Sequence, residues 1–328
     1  NNWGVGTTNS PLDILSPVNY YYFFARGLEK NIATKSLSIN TYFADSKFGL
    51  VYIFEHEPHH LPFDDPEMPI TIESLPVNMQ IDKIKRPEQL GINLQIPFKE
   101  VDLIFSYFKG HDHLMSLFGA SLWTNPHTDT FGSYVDTVLS YRSTEVIGIG
   151  SSTFIGDMRV NSEIGFFKTT DGIVNDNDIL RDFNGSYDKV CSSEILLIYG
   201  NCNPVQDVSY ALATKSDYYE FLLEIEYPNL IWDISFLGQY LSYKSLDISN
   251  GLHPNSVTTQ IADIDFRPKY NFIPTIGSPI FMFTMHEDKN TNTLYMHKSS
   301  VLFINAKRYF YDYSIESNIR AFWDLQNS

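Results

Sequence analysis

LGINLQIPFKEVDLIFSYFKG, residues 90–110, decides the fold class of this chain. Apolar and polar residues alternate up to Phe98, and the alternation resumes at Val101 after the charged pair Lys99-Glu100. Successive side chains of a β-strand point to opposite faces, so the pattern predicts two strands joined by a very short turn, each with one apolar face. That apolar face contacts either a protein core or lipid.

The composition limits the size and the partners of the protein. The chain has 328 residues, enough for one large β domain or two ordinary ones. It contains 39 Asp and Glu against 23 Lys and Arg, which gives a formal net charge of -16. A protein that binds nucleic acid needs a basic face for the phosphates. The charge balance therefore argues against nucleic acid as a partner.

No apolar run in the sequence approaches the roughly 20 residues of a membrane helix. Membrane strands are shorter and alternate lipid-facing with lumen-facing residues, so they leave no such run. The sequence starts at Asn1 without a recognisable signal peptide or an initial Met, which predicts a mature or incomplete chain.

The pattern of the whole chain predicts about a dozen strands, no amphipathic helix and one domain over residues 1–328. The expected strands are 36–44, 48–55, 90–98, 101–109, 133–141, 145–154, 159–168, 218–227, 230–243, 258–270, 276–286, 294–306 and 310–323. An irregular segment is expected at 1–30, with long loops at 56–87, 111–130 and 169–216. Short turns on one side and long loops on the other are typical of an outer-membrane barrel. A soluble sandwich usually has moderate loops at both ends.

The expected strands have two distinct faces. In 218–227, Phe221, Leu223 and Ile225 share one face, and Glu220 and Glu224 share the other. Several apolar faces begin or end on Tyr or Trp, and this placement matches the aromatic girdles at the two membrane interfaces. A soluble antiparallel sheet with one wet face also alternates. The strand lengths, aromatic ends and loop asymmetry favour an all-β, antiparallel transmembrane β-barrel in the bacterial outer membrane.

Four stretches carry a resemblance to a known family: Trp3-Gly4, PLDILSPVNYYYFF at 11–24, LVYIFEHEPHHLP at 50–62 and SYFKGHD at 106–112. Together they resemble a family of Gram-negative outer-membrane proteins of unknown function, whose members are similar to the alginate-export barrels. The resemblance covers residues 3 to about 171 and weakens toward Trp323, where only the strand pattern supports it.

The chain departs from that family in detail. Ser16-Pro17 stands where Asn-Pro is usual, and His59-His60 stands where a basic residue is common. Members of the family have strands before the Trp-Gly pair and end on an aromatic strand. The resemblance therefore implies an outer-membrane barrel and predicts that terminal strands are missing from this chain.

Inward-facing polar side chains are the strongest functional feature of the sequence. We expect a pore lined by Asn93, Gln95, Asp102, Arg159, Glu163, Glu220, Glu224, Glu226, Asp233, Gln239, Asp263, Asp265, Glu316, Asn318 and Arg320. Rings of acidic side chains select cations over anions. Two other interpretations stay open: the carboxylates only keep the lumen wet, or they bind divalent ions that bridge lipopolysaccharide.

Other constellations give little support to chemistry. The stretch Ile-Ser-Asn-Gly at 248–251 is similar to the Ser-Asn pair of outer-membrane phospholipase, but Asp247 is not the His that such a serine needs as its base. The histidines of HEPHH at 56–60 and HDH at 111–113 have the residue type of a metal site. They follow expected strand ends, where polar loop residues are ordinary. We therefore expect no enzyme activity, no metal and no cofactor.

Cys191 and Cys202 lie in the same irregular segment. Their short separation predicts a local disulfide in an oxidising compartment, and two free thiols are the alternative.

Two interpretations of function remain. The first is a porin-like channel or transport barrel with an acidic lumen, cation-preferring or open to neutral or hydrophobic solutes. The second is a structural or anchoring barrel in a cell-surface assembly that interacts through its long loops. Both predict outer-membrane lipid and lipopolysaccharide as partners, and the second adds another envelope or surface-assembly protein.

Overall fold

The computed structural model describes residues 3–6, 10–19, 31–60, 79–81, 84, 86–124, 134–170, 205–211, 214–228, 233–250, 287–288, 293–294, 298–310 and 315–325. Every secondary-structure element assigned in these ranges is a β-strand, which confirms the all-β prediction. Among the same residues, no helix has the length and apolar character needed to span a membrane.

Fourteen strands are present in the described ranges. They are β1 (Ser36–Phe43), β2 (Ser46–Ile53), β3 (Met79–Ile81), β4 (Gln89–Phe98), β5 (Val101–Thr124), β6 (Tyr134–Ile155), β7 (Met158–Thr170), β8 (Val205–Ala211), β9 (Thr214–Tyr227), β10 (Ile234–Asn250), β11 (Glu287–Asp288), β12 (Thr293–Leu294), β13 (Lys298–Phe310) and β14 (Ile315–Asp324).

Twelve of the strands form one sheet. Its main path is the antiparallel series β1-β2-β4-β5-β6-β7-β9-β10-β13-β14. The short strand β3 pairs in parallel with β6, and β8 pairs with the far end of β5. Strands β1 and β14 end the path, and within the described residues no pairing joins them, so the sheet is not closed there.

The tight turns lie at one end of the sheet. Phe98 pairs with Val101 across the turn that the sequence predicted, and Lys99 in that turn has a φ of 58°. The β1–β2 and β6–β7 turns are equally short, with positive φ at Ala44 and Gly156. Two-residue hairpin turns need this left-handed backbone to match the twist of their strands. We call this end of the strands the short-turn end.

Two sequence predictions about loops are wrong. Residues 111–124 are not a loop, because β5 continues to Thr124 and pairs with β6 as far as Trp123, with irregularities between His111 and Met115 and between Leu117 and Gly119. The predicted hairpin at 133–154 is one uninterrupted strand, β6. Its polar residues suggested a turn, but Arg142 and Thr144 point inward and are buried. Arg142 Nε donates to Thr169 Oγ1 of β7 at 3.1 Å, so the polar residues bond across the sheet instead of ending the strand.

Other predicted elements agree in part. The predicted loop 56–87 contains the short strand β3, and the predicted loop 169–216 contains β8 and the start of β9. In the described part of the predicted irregular N-terminal segment, Val18 and Asn19 make isolated bridges to Asn31 and His60. The predicted strands 258–270 and 276–286 lie outside the described residues.

The two faces of the sheet differ from those of a soluble sheet, because the outer face is apolar and exposed while the inner face buries polar side chains beside apolar ones such as Phe108 and Leu222. Large apolar side chains on the outer face are exposed: Phe105 is 40% exposed, Ile147 57% and Leu223 37%. The inner face instead buries polar and charged side chains. They include Asn93, Ser106, Asn161, Glu163, Glu220, Glu224 and Gln239. The predicted alternation is therefore present, with the polar side enclosed.

Candidate functional site

The inner face of the sheet is covered by the start of the chain. We call residues 3–6 and 10–19 the N-terminal segment. Its apolar side chains are buried, with Leu12 0% exposed and Ile14 1% exposed. Trp3, Ile14 and Leu15 belong to one core cluster with residues of the sheet such as Phe108. Protein therefore occupies a region where the sequence analysis expected a water-filled lumen.

Small residues on the inner face make room for the N-terminal segment. A register row runs across five neighbouring strands, and its members are Gly49, Asn93, Ser106, Gly148 and Gly165. A Cβ atom at Gly148 would collide with the Leu12 side chain. A Cβ atom at Gly91, one row away, would collide with the Trp3 ring. The glycines thus let the segment approach the sheet backbone closely.

Glu163 of β7 anchors the segment. Its carboxylate accepts the backbone N–H groups of Val5 and Gly6, the latter at 2.6 Å, and the Ser10 hydroxyl donates to it at 2.5 Å. Ser10 Oγ also accepts the backbone N–H of Leu12 at 3.1 Å. Asn93 of β4 donates from Nδ2 to the Trp3 carbonyl at 3.3 Å. Two predicted pore-lining residues, Asn93 and Glu163, therefore hold the segment instead of facing water.

Glu224 of β9 is enclosed in a second polar group. Asn161 Nδ2 of β7 donates to one carboxylate oxygen at 2.6 Å, and Gln239 Nε2 of β10 donates to the other at 2.5 Å. All three side chains are 0% exposed. Glu220, on the same face, is also fully buried. In the described interior the carboxylate of Glu224 is therefore enclosed by amides and Glu220 is buried, while an ion-selecting ring stays a prediction.

A cavity of about 520 Å³ opens at the short-turn end of the inner face. Its charged lining consists of Asp45, Lys47, Asp102 and Arg159, and the rest of the wall is formed by Gly4, Val5, Gly6, Gln95, Ile96, Pro97, Ile104 and Ser152. Arg159 also lies 4.0 Å from the Glu226 carboxylate. The predicted pore-lining residues Gln95, Asp102 and Arg159 thus line one open cavity, where two cationic side chains lie among the carboxylates of Asp45, Asp102 and Glu226.

Four histidines gather at the opposite end of the described inner face. The His56 ring stacks on His113 with centroids 5.4 Å apart, His59 lies 5.3 Å from His113, and His111 lies 6.0 Å from His56. We call His56, His59, His111 and His113 the histidine cluster. His59 and His113 are buried, so the sequence interpretation of both as ordinary polar loop residues is wrong.

Backbone groups contact four of the eight ring nitrogens of the histidine cluster. His113 Nδ1 lies 2.7 Å from the Glu57 carbonyl, and its Nε2 lies 3.4 Å from the Ile14 carbonyl. His56 Nε2 lies 2.8 Å from the Asp112 carbonyl. His59 Nδ1 accepts the backbone N–H of Val18 at 2.8 Å. Among the described residues no group of three or more His, Cys, Asp or Glu is arranged to hold a metal ion.

The environment of His56 disfavours its protonated form. Burial lowers the pKa of His56 from 6.5 to about 3, and the neighbouring His113 adds to this effect. The Asp112 carbonyl acts in the opposite direction, and His111 lowers the pKa further. His56 is therefore neutral in the folded protein at neutral pH.

The other predicted site residues do not join these groups. Asp233 lies in the turn before β10 with a φ of 59°, and it is exposed. Glu316 and Arg320 on β14 are exposed, and Asn318 is half-buried. Asp263, Asp265 and the predicted disulfide partners Cys191 and Cys202 lie outside the described residues.

The sequence pattern did not predict that the N-terminal segment packs against the inner face, that Ser10 and Asn161 bond to buried glutamates, or that the histidines form a cluster. One signal was available. Gly91, Gly148, Gly150 and Gly165 all fall at inward positions of predicted strands. A water-filled lumen gives no reason for small residues there, whereas close approach of another piece of backbone does.

Comparison with known proteins gives no match to any family model, curated protein or solved structure.

Proposed function

We propose that this chain is an integral outer-membrane β-barrel that works as a transport channel, with its N-terminal segment lying in the interior. The observation that carries the proposal is the exposed apolar outer face of the sheet. In water, exposed apolar side chains repeated across a whole sheet face would cost free energy at every position, whereas in lipid they are solvated.

Exposed aromatic side chains at the short-turn end support the proposal. Tyr42 and Phe43 flank the β1–β2 turn, Phe98 flanks the β4–β5 turn, and Phe154 lies beside the β6–β7 turn. Transmembrane barrels carry aromatic girdles at both interfaces and short turns on the periplasmic side. We therefore assign the short-turn end to the periplasmic interface.

Strand length fits the same orientation. β5 has 24 residues and β6 has 22, about twice the 9–11 residues that a tilted membrane strand needs. On the outer face of β5, the exposed side chain is apolar at Phe105 and charged at Lys109, which lies farther from the short-turn end. The far ends of both strands would then project beyond the bilayer, and the histidine cluster would lie at the outer rim.

The charges favour neutral or amphoteric solutes over cations. Glu163 and Glu224 are enclosed by hydrogen-bond donors and are not exposed to a passing ion. The open cavity at the short-turn end contains charges of both signs, with Lys47 and Arg159 beside Asp45 and Asp102, and Glu226 4.0 Å from Arg159. An electrostatic barrier to either sign of ion is small at such a site.

Occupation of the interior favours a second candidate function. Trp3 and Leu12 are buried against the inner face, so protein fills part of the described interior. An anchoring barrel in a surface assembly would need no water path. The resemblance to the outer-membrane family of unknown function stays a prediction under either candidate.

Two measurements test the proposal. An integral barrel should migrate faster unboiled than boiled in detergent gels, and equal migration together with solubility in plain buffer would contradict the membrane location. Planar-bilayer recording then separates the two candidates. Discrete conductance steps support transport, and their absence from correctly folded protein supports the anchoring barrel.

A further inference from the structure

Residues just after β2 hold the far end of the N-terminal segment. The backbone N–H of Val18 donates to His59 Nδ1 at 2.8 Å, and the backbone N–H of His60 donates to the Val18 carbonyl at 3.1 Å. Four residues earlier in the chain, the Ile14 carbonyl lies 3.4 Å from His113 Nε2. Two histidine side chains therefore bond directly to the backbone of the segment.

The hydrogen bond from Val18 fixes the protonation state of His59. A backbone N–H can only donate, so Nδ1 of His59 must carry a free lone pair. Protonation of His59 would place a hydrogen on Nδ1, facing the Val18 N–H. The bond would be lost, and two donors would meet at a side chain that is only 7% exposed. A second imidazole, His113, lies 5.3 Å away and would repel it once charged as well.

We propose that the histidine cluster is an acid-sensitive latch, which holds the N-terminal segment against the inner face and releases it when His59 takes up a proton. The inference rests on the proposed function only for its consequence, which is that release opens the interior to solutes. The docking itself can be measured without any transport.

The titratable groups of this region come from several elements. His113 lies against His59 itself, and it belongs to β5 together with His111 and Asp112. Tyr141 of β6 lies against His56, Glu57 follows β2, and Glu88, just before β4, acts on His111. A nearby carboxylate favours the protonated form of His59 in the docked state and so opposes release, whereas a neighbouring imidazolium disfavours that form and assists release. His113 also opposes release in one respect, because its protonated ring could donate to both the Glu57 and the Ile14 carbonyl.

The test measures exposure of the segment in the full-length chain. The Leu15 side chain is apolar and 4% exposed, so Leu15→Cys leaves the hydrogen-bonding groups of the histidine cluster unchanged. The labelling rate of its thiol reports departure of the segment. Cys191 and Cys202 are replaced by Ser in this background. Labelling by dithiodipyridine, which reacts with thiols in acid, is followed from pH 8 to pH 4. Each rate is divided by that of Glu100→Cys, an exposed position in the β4–β5 turn.

We expect relative labelling of Leu15→Cys to be slow at pH 8 and to rise about tenfold or more toward pH 4, the equivalent of one lost buried hydrogen bond. His59→Asn keeps an acceptor at the position of Nδ1 but does not titrate. It should stay protected at both pH values. His60→Asn is the matched control, since the His60 side chain is exposed, and it should retain the wild-type pH response.

Three results would overturn the proposal: labelling of Leu15→Cys that does not change with pH, a His59→Asn variant that keeps the full pH response, or fast labelling already at pH 8. Hydrogen exchange of residues 10–19 in the unmodified chain, corrected for the intrinsic effect of pH, gives the same answer without substitutions. A latch that responds to acid in a protein without conductance would sustain this inference and reject the transport proposal.

Discussion

The indole ring of Trp3 packs directly against Gly91 of β4, at a distance that leaves no space for a Cβ atom. Gly91→Val should therefore expel Trp3 from the inner face. Overpacking of a filled interior typically costs about 1–3 kcal/mol. Relative labelling of Leu15→Cys should rise in this variant at pH 8, while the barrel keeps its heat-modifiable migration.

Gly150→Ala is the control for that substitution. Its added Cβ would meet its nearest neighbours at 3.5–3.7 Å, which is ordinary van der Waals contact. It should leave the segment protected. Equal exposure of Leu15→Cys in both variants would contradict the close fit at Gly91.

Glu163→Gln should loosen the N-terminal segment. The carboxylate accepts three donors, and an amide offers only one oxygen and presents a donor in place of the other. Loss of hydrogen bonds to a charged group costs about 1.5–3 kcal/mol. Labelling of Leu15→Cys should increase accordingly at neutral pH. Glu224→Gln is matched to it in burial but contacts Asn161 and Gln239, so it should leave labelling unchanged.

The outer and inner faces of β9 should respond differently to lysine. Leu223 is on the outer face, and if that face lies in lipid, as we propose, Leu223→Lys should cost about 2–4 kcal/mol near the bilayer midplane. Tyr219 is on the same face but farther from the short-turn end, so Tyr219→Lys should cost less. Urea unfolding in lipid vesicles measures both variants. Equal, negligible costs would show that lipid does not cover this face.

Reversing the charge of a buried glutamate on the inner face should destabilise the fold, whereas a glutamate in a water-filled lumen would tolerate the change. Glu224→Lys would place an ammonium group against the amide donors of Asn161 and Gln239 with no carboxylate between them. A buried, unpaired charge of this kind destabilises strongly. The folded fraction on unboiled gels should fall, and normal assembly of this variant would show that water reaches Glu224.

The stability of the fold should decrease in acid because of His56. Its pKa in the folded protein is about 3, below the ordinary 6.5, so the unfolded chain takes up the proton first as the pH falls. Stability present above about pH 6.5 is therefore lost between pH 6.5 and about pH 3. His56→Gln keeps a donor for the Asp112 carbonyl without titrating, and it should flatten this part of the profile. Urea midpoints measured across that range test the difference.

Cys191 and Cys202 should form an intramolecular disulfide in protein from the cell envelope. Peptide mass spectrometry without reductant checks the bond. Two free thiols would contradict it. Removing the bridge by Cys→Ser at both positions should leave the sheet intact, because the loop that it closes is short.

The strand pattern was readable from the sequence wherever one face stays apolar. Residues 90–110 gave both strands, their turn and their faces, because period-two alternation reports local geometry directly. The pattern failed at Arg142-Ser143-Thr144, where inward polar residues look like a turn. It also failed for the interior. That Glu163 bonds to Gly6 depends on two distant parts of the chain meeting, and no local pattern encodes such a meeting.

Val5 and Glu163 are separated by 158 positions in the chain, yet they share a hydrogen bond. The surface that receives the segment is complete only after β4, β5, β6 and β7 have paired. Closing so long a loop costs entropy before any contact repays it, and contacts of high sequence separation form slowly. The segment should therefore dock after the hairpins have assembled, so the earliest part of this chain reaches its final place late in folding.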